Sequence, residues 1–296
     1  MKEELNIQWF PGHMTKARRM MAENVKLVDA VCEIADARIP VSSRNPDLDG
    51  ICGGKPRLLV LNRNDQADPE QTEAWIRYFR SLGLPVLSTD CRSGKGTKNF
   101  PAAVKELLAD RLRSFEEKGQ KGRSLRVMVA GIPNVGKSSF INRVANRKAA
   151  QTSDRPGVTR GKQWIRVSGE LELLDTPGVL WPKFENRTVG EHLAYTGAIR
   201  DQILDSVSLA GNLLLLLGER YPERIADRLR IVPEDGDNGL ALLEKAGRKR
   251  GCLVGGGEVD MDRIAAVVLD EFRGGKFGRI TLETPDDLAE AETDEG

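Results

Sequence analysis

The stretch Gly131-Ile-Pro-Asn-Val-Gly-Lys-Ser138 constrains this chain more than any other. An apolar run, Leu125-Arg-Val-Met-Val-Ala130, precedes it with the composition of a buried strand, and Ser139-Phe-Ile-Asn-Arg-Val-Ala145 follows it with the pattern of a helix. A strand, a glycine loop closing in Lys-Ser, and a helix form the context in which such a stretch is a phosphate-binding P-loop rather than a plain turn. Successive backbone N–H groups of the loop face phosphate oxygens, and the helix start adds its positive dipole end. The candidate nucleotide contacts here are Asn134, Val135, Gly136, Lys137, Ser138 and Ser139. Lys137 is placed to reach the β- and γ-phosphates, and the Ser138 hydroxyl to bind Mg²⁺.

A chain of 296 residues is too long for one ordinary core, so two domains are expected. Its 40% hydrophobic and 30% charged content fits a soluble globular protein, and a net charge of +1 leaves any polyanion partner to local clusters. Cys32, Cys52, Cys91 and Cys252 are scattered without metal-ligand spacing and read as reduced thiols in a cytoplasmic setting. The charged N-terminus has no apolar leader pattern, and the longest apolar run, Leu213 to Leu217, is far short of a membrane span.

Before the P-loop, strand-like runs at Val31–Ala35, Arg57–Leu61 and Pro85–Ser88 alternate with helical ones at Pro69–Leu82 and Pro101–Glu117. This alternation predicts an α/β fold, a doubly wound, mostly parallel sheet with helices on both faces. A basic helix capped by Thr15 is expected from Thr15 to Lys26, with Trp9 and Phe10 buried ahead of it. After the P-loop, Gln163–Val167 and Glu170–Leu174 alternate as a hairpin running into Asp175-Thr-Pro-Gly178. Beyond about residue 185 only helical patterns remain: Asp201–Glu219, Tyr221–Arg230, Gly239–Arg250 and Asp260–Phe272. The expected division is a P-loop domain over 1–184, an all-α domain over 185–284 and a disordered acidic tail over 285–296.

An Asp at a strand end after a P-loop holds Mg²⁺, and the Gly that follows senses the γ-phosphate, which assigns these roles to Asp175 and Gly178. Thr159, in the polar glycine-containing loop after the P-loop helix, is the candidate to complete the Mg²⁺ shell, with Thr152 as the alternative. No base-reading motif follows Gly178. Upstream, Asn62-Arg-Asn-Asp65 ends a buried strand. The Asp65 carboxylate can accept both N1–H and N2–H₂ of guanine, a donor pair that adenine lacks. Asn62 would brace the loop, and Arg63 stands where a Lys is usual. Ser88 and Thr89, ending the next strand, would bring a backbone N–H to the guanine oxygen. The order of motifs is therefore circularly permuted, yet all can converge at the carboxyl ends of the strands. The chain leaves the last motif directly into the helical region, so a switch at Gly178 would be transmitted there.

Val179 follows the Asp-Thr-Pro-Gly motif where many GTPases place a water-orienting Gln. Two groups can compensate. Asn134 can ligate a monovalent cation such as K⁺ between the phosphates. His13, flanked by Gly12 in Trp9-Phe-Pro-Gly-His13, can swing to the γ-phosphate, or can serve as a structural or RNA-facing residue. His192 reads as structural.

The permuted order, Trp9-Phe-Pro-Gly-His13-Met, Asp36-Ala-Arg-Ile-Pro40, Ser43-Arg-Asn-Pro46, the P-loop, Asp154-Arg-Pro-Gly157, Asp175-Thr-Pro-Gly-Val-Leu-Trp-Pro182 and Arg250-Gly-Cys-Leu253 with Arg279-Ile beyond it resemble the YlqF/RbgA family of ribosome biogenesis GTPases. The resemblance runs from about residue 7 to about 284. It implies a GTP/GDP-binding, GTP-hydrolysing factor in late maturation of the large (50S) ribosomal subunit, either cytoplasmic and bacterial or an organellar relative. It implies Mg²⁺, an activating K⁺ ligated at Asn134, a catalytic His at His13, and a helical domain on ribosomal RNA. Arg63 and the acidic tail depart from the family pattern. The charge distribution agrees with contact to a phosphate backbone: residues 111–126 hold six basic against two acidic side chains, and 143–166 hold seven against one. Residues 186–284, with 14 basic against 16 acidic, offer only Arg248-Lys-Arg250 and a second group at Arg273, Lys276 and Arg279. The chain is expected to act as a monomer away from membranes. A nucleotide-gated scaffold with negligible hydrolysis and an ATP-using enzyme are the competing readings.

Overall fold

A computed structural model describes residues 11–120, 122–146, 163–181, 186–199 and 205–288. Among these, residues 11–181 and 283–288 form one compact unit and residues 186–282 another.

The first unit is built on a six-stranded sheet of order β3-β2-β1-β4-β6-β5. The strands are β1 (Ala30–Asp36), β2 (Arg57–Asn62), β3 (Val86–Ser88), β4 (Leu125–Ala130), β5 (Gln163–Ser168) and β6 (Leu171–Asp175). Every pairing is parallel except β5 with β6. The near-continuous apolar strands β1, β2 and β4 lie in the interior of the sheet, covered on both faces, as runs without alternation require. The antiparallel β5 alternates and forms the wet edge. The order puts β4, which feeds the P-loop, between β1 and β6, and puts the ends of β2 and β6 on either side of it.

Its helices are α1 (Pro11–Val25), α2 (Asp47–Cys52), α3 (Pro69–Ser81), α4 (Phe100–Leu107), α5 (Ala109–Glu117) and α6 (Lys137–Val144). Among the described residues α1 is already helical from Pro11, ahead of the expected start at Thr15. The single helix expected over 101–117 is two, α4 and α5, divided at Leu108, whose φ of −109° and ψ of 21° leave the helical region. Helix α2, of 6 residues, is too short to show a helical period in the sequence. Asp68 caps α3 by accepting from Glu70 and Gln71, and Trp75, Ile76 and Phe79 form its buried face.

The acidic end of the chain is ordered further than its composition suggests. Glu283 accepts the backbone N–H groups of Val41 (2.7 Å) and Ser42 (3.0 Å), and its own carbonyl accepts Trp75 Nε1 at 2.9 Å. Leu288 packs on the core of Leu59, Trp75, Phe79 and Val86. These hydrogen bonds and the Leu288 packing outweigh the solvation of the few charges around them. Residues 285–288 are therefore a helical turn on the first unit; Ala289 onward lies outside the described residues.

The second unit contains α7 (Arg187–Tyr195), α8 (Ser206–Arg220), α9 (Pro222–Leu229), α10 (Gly239–Arg250) and α11 (Met261–Arg273). Asn186, Asp205, Asn238 and Asp260 cap α7, α8, α10 and α11 through their side chains. Helices α8 and α10 cross at Gly211 and Gly239, where a Cβ on Gly239 would fall 2.6 Å from the Gly211 carbonyl carbon. His192 is buried on α7 beside Tyr195, a structural position as expected. Arg273 is not part of a free basic group: it donates to the carbonyls of Ala194 (2.8 Å) and Tyr195 (3.2 Å) at the end of α7. Arg250 likewise donates to Glu271 at 2.7 Å, beside Arg228.

Candidate nucleotide-binding site

The P-loop leaves β4 at Ala130 and enters α6 at Lys137. Three of its residues take positive φ, Gly131 (150°), Asn134 (58°) and Gly136 (99°). Only glycine suits position 136, because a Cβ there would run into the Asn62 side-chain amide. The close approach has a purpose: Asn62 Nδ2 donates to the Val135 carbonyl at 3.0 Å. Thr89 Oγ1 and Cys91 Sγ both donate to Asn62 Oδ1, at 3.3 and 3.0 Å. Asn62 thus ties the ends of β2 and β3 to the phosphate loop.

Arg63 extends the same tie. It has a φ of 63°, and its Nη2 donates to the Asn134 carbonyl at 3.0 Å. Asp65 lies at the rim, 25% exposed, with Arg92 Nη1 at 3.8 Å. Asn64 connects the two base-side loops by donating to Ser88 Oγ at 2.8 Å and, from its backbone, to the Thr89 carbonyl at 3.1 Å. Thr89 is fully buried, and Asp90 organises the turn after it by accepting from Arg92 N (2.7 Å) and Ser93 N (3.2 Å). Burial works to raise the Asp90 carboxyl, but the hydrogen bonds from Ser93 and Arg92 hold it below the usual carboxylate range.

On the phosphate side, Lys137 is buried and its Nζ donates to the Ile132 carbonyl at 2.6 Å. Burial pushes its ammonium down to about 8, with Asp175 opposing the fall. A Cβ on Gly178 would lie 2.7 Å from Lys137 Nζ and equally close to the Pro133 backbone, so the Asp-Thr-Pro-Gly turn packs directly on the P-loop. Thr176 Oγ1 donates to the Val129 carbonyl (2.7 Å) and Val179 N to the Gly131 carbonyl (3.3 Å), which hold it there. The Val179 side chain points into the core with Met21, Val25, Met128 and Leu174. It offers nothing to a reacting water.

Asp175 is 1% exposed at the end of β6, and Ser138 is half-buried in the first turn of α6. One hydroxyl and one carboxylate leave most of the shell to phosphate and water, the donor set Mg²⁺ prefers. No group of three or more His, Cys, Asp or Glu capable of holding a metal occurs among the described residues. Ser139 is exposed on the next residue of the helix. Thr159 and Thr152 lie outside the described residues. His13 falls within α1, in a part whose side chains are not described, and Trp9 and Phe10 lie before it.

The loop after β1, which carries the Asp36–Pro40 and Ser43–Pro46 motifs, also joins the site. Asn45 Nδ2 donates to the Val179 carbonyl at 3.2 Å, and Asp36, buried, binds Arg38 through two nitrogens at 2.8 and 2.9 Å. The available signal was Asp36 and Arg38 two apart at a strand end, which fits many surface turns equally well.

The comparisons agree with this geometry. The family model described as "50S ribosome-binding GTPase" matches residues 126–225. Ribosome biogenesis GTPase A of Priestia megaterium is 50% identical over 284 residues, covering 95% of this chain and 98% of that protein. Its namesake in Bacillus cereus is 49% identical over 286 residues and 96% of both chains. A crystal structure of GNP-bound YlqF from T. maritima superposes with a TM-score of 0.62 at 27% identity, over 91% of this chain and 98% of that one. With a permuted GTPase sheet, and with relatives this similar along nearly the whole length, the chain belongs to the ribosome biogenesis GTPase A family.

Proposed function

We propose that this GTPase acts on the assembling large ribosomal subunit in the cytoplasm, as a monomer, using GTP hydrolysis to time its release. The observation that supports this best is the joining of base-side and phosphate-side loops: Asn62 and Arg63 after β2 each hold a P-loop carbonyl, and Gly178 packs on Lys137. Asp65 reads guanine, assisted at the Ser88 end of β3, the Thr89 N–H being already given to the Leu61 carbonyl at 2.8 Å; Lys137 holds the phosphates; Ser138, Asp175 and Thr159 complete a Mg²⁺ shell; Gly178 senses the γ-phosphate. Mg²⁺ supplies charge neutralisation between the phosphates when bound. Asn134 is the proposed K⁺ ligand. His13 is the group proposed to act at the γ-phosphate.

The RNA-facing surface is assigned to the first basic group. There Arg111 and Arg123 stack on Phe115 at 4.9 and 4.6 Å, and Arg126 lies 5.0 Å over Trp164. Planar guanidinium–aromatic pairs of this kind present cations to a phosphate backbone without burying them. No helix among the described residues is long and apolar enough to cross a membrane.

The burial of Val179 favours slow turnover by the isolated protein and acceleration on its partner. The decisive measurement is GTP hydrolysis in K⁺ and in Na⁺, with and without purified large subunits, for the wild type, Lys137→Ala and His13→Ala. A subunit- and K⁺-stimulated rate that Lys137→Ala abolishes is expected. A rate that no salt or subunit raises would identify a nucleotide-gated scaffold instead, and a preference for ATP in competition would remove Asp65 from its role.

A further inference from the structure

The Asp36 carboxylate stands between two guanidiniums. Arg38 donates to it from Nε (2.9 Å), Nη2 (2.8 Å) and its backbone N (3.0 Å). Arg63 Nε lies 3.6 Å from Asp36 Oδ2. Asp36 and Arg38 are 3% and 1% exposed, so this is an ion cluster inside the protein and not a surface pair. Ser43 Oγ accepts the Asp36 backbone N–H at 2.8 Å and holds the main chain at Asp36.

The second face of Arg63 is turned to the phosphate loop, where its Nη2 reaches the Asn134 carbonyl. The planar fork therefore spans a fixed anion on one side and a P-loop carbonyl on the other. A lysine ammonium is a point charge without that span. Both ends of the contact lie in left-handed backbone, Arg63 at 63° and Asn134 at 58°; asparagine accepts this conformation readily, whereas an arginine does so uncommonly. Burial, and then Arg38, work against the Arg63 charge, while Asp36 supports it.

We propose that Asp36 is a positioning residue for the nucleotide site: it orients Arg63, and through Arg63 it holds the phosphate loop at Asn134. The departure from lysine at position 63 is then part of the design, because the fork reads Asp36 as well as the loop. The inference rests on the nucleotide lying at Gly131–Ser138, and the test separates the two ideas.

Affinity for a fluorescent GDP derivative is measured for Asp36→Asn, Arg63→Lys and the double variant, beside Lys137→Ala. Each of the first two weakens binding about tenfold, in keeping with loss of one charge-assisted contact. The double variant binds no more weakly than the worse single one, because both substitutions break one path. Effects that multiply in the double variant, or an Asp36→Asn protein that binds like the wild type, would overturn the relay. Should Asp36→Asn fail to fold with Arg38 left opposite an amide, Asp36→Glu keeps the charge, displaces it, and enters the same cycle with the same two outcomes. Lys137→Ala that still binds GDP normally would show that the site reading itself is wrong. Its loss of binding alongside multiplying effects would reject only the relay.

Discussion

Burial of Lys137 makes its ammonium a pH-sensitive part of the nucleotide-free protein. Its folded value of about 8 lies below the ordinary 10.5, so between these the unfolded chain binds more protons and stability rises with pH. Below about 8 the whole cost of the buried charge is present; it is relieved as pH climbs, by about 3 kcal/mol at most. The check is the difference in unfolding free energy between wild type and Lys137→Met from pH 7 to 10. Thiols raised by burial, Cys52 to about 11 and Cys91 to about 12, act in the opposite sense above their ordinary 9.0, but equally in both proteins, so they cancel in the difference. A flat difference would mean that Lys137 keeps an ordinary ammonium. Asn62 gives a second test at this scale. Asn62→Ala removes the donor to Val135 and the acceptor for Thr89, both buried, and for the half-buried Cys91, and should cost about 1–3 kcal/mol of stability while weakening GDP binding. Chemical denaturation and nucleotide titration read the two effects.

At the scale of elements, glycine decides how closely two helices pack. The α8–α10 crossing brings the Gly211 and Gly239 backbones together, and neither has a side chain to yield. Gly239→Ala should therefore push the helices apart and destabilise the helical unit by about 1–3 kcal/mol. Amide hydrogen exchange is the measurement: protection should fall in α8 and α10 and stay unchanged in β1, β2 and β4. A loss spread equally over both units would show that the crossing is not the local determinant. The strands of the sheet were legible because their apolar runs are nearly unbroken. The break at Leu108 was not, because the residues on both sides keep one amphipathic pattern while the backbone leaves the helix for a single residue.

For the whole molecule, the chain leaves the sheet unit after Trp181 and rejoins it at Glu283. That return is anchored by one carboxylate on two backbone amides and one indole N–H on a backbone carbonyl, at positions more than 200 residues apart in sequence. Glu283→Ala should expose Val41 N and Ser42 N and lower the stability of the sheet unit by about 2 kcal/mol. Hydrogen exchange at those two amides should accelerate together with the fall in denaturation midpoint; unchanged exchange would show that the anchor lies elsewhere, at Leu288.

The sequence by itself determined the P-loop, the strand-end positions of Asp65, Asp175 and Gly178, and the permuted order, because each depends on residue types at short, fixed spacing beside a strand. Only the tertiary structure decided what joins them. The Asn62 contact with the Val135 carbonyl, the Arg63 fork between Asp36 and Asn134, the inward turn of Val179 and the Glu283 anchor all link segments far apart along the chain. Nothing in local composition distinguishes a buried Asp–Arg pair from a solvated one. The difference arises when the sheet brings the ends of β1, β2 and β4 side by side and removes the water between them.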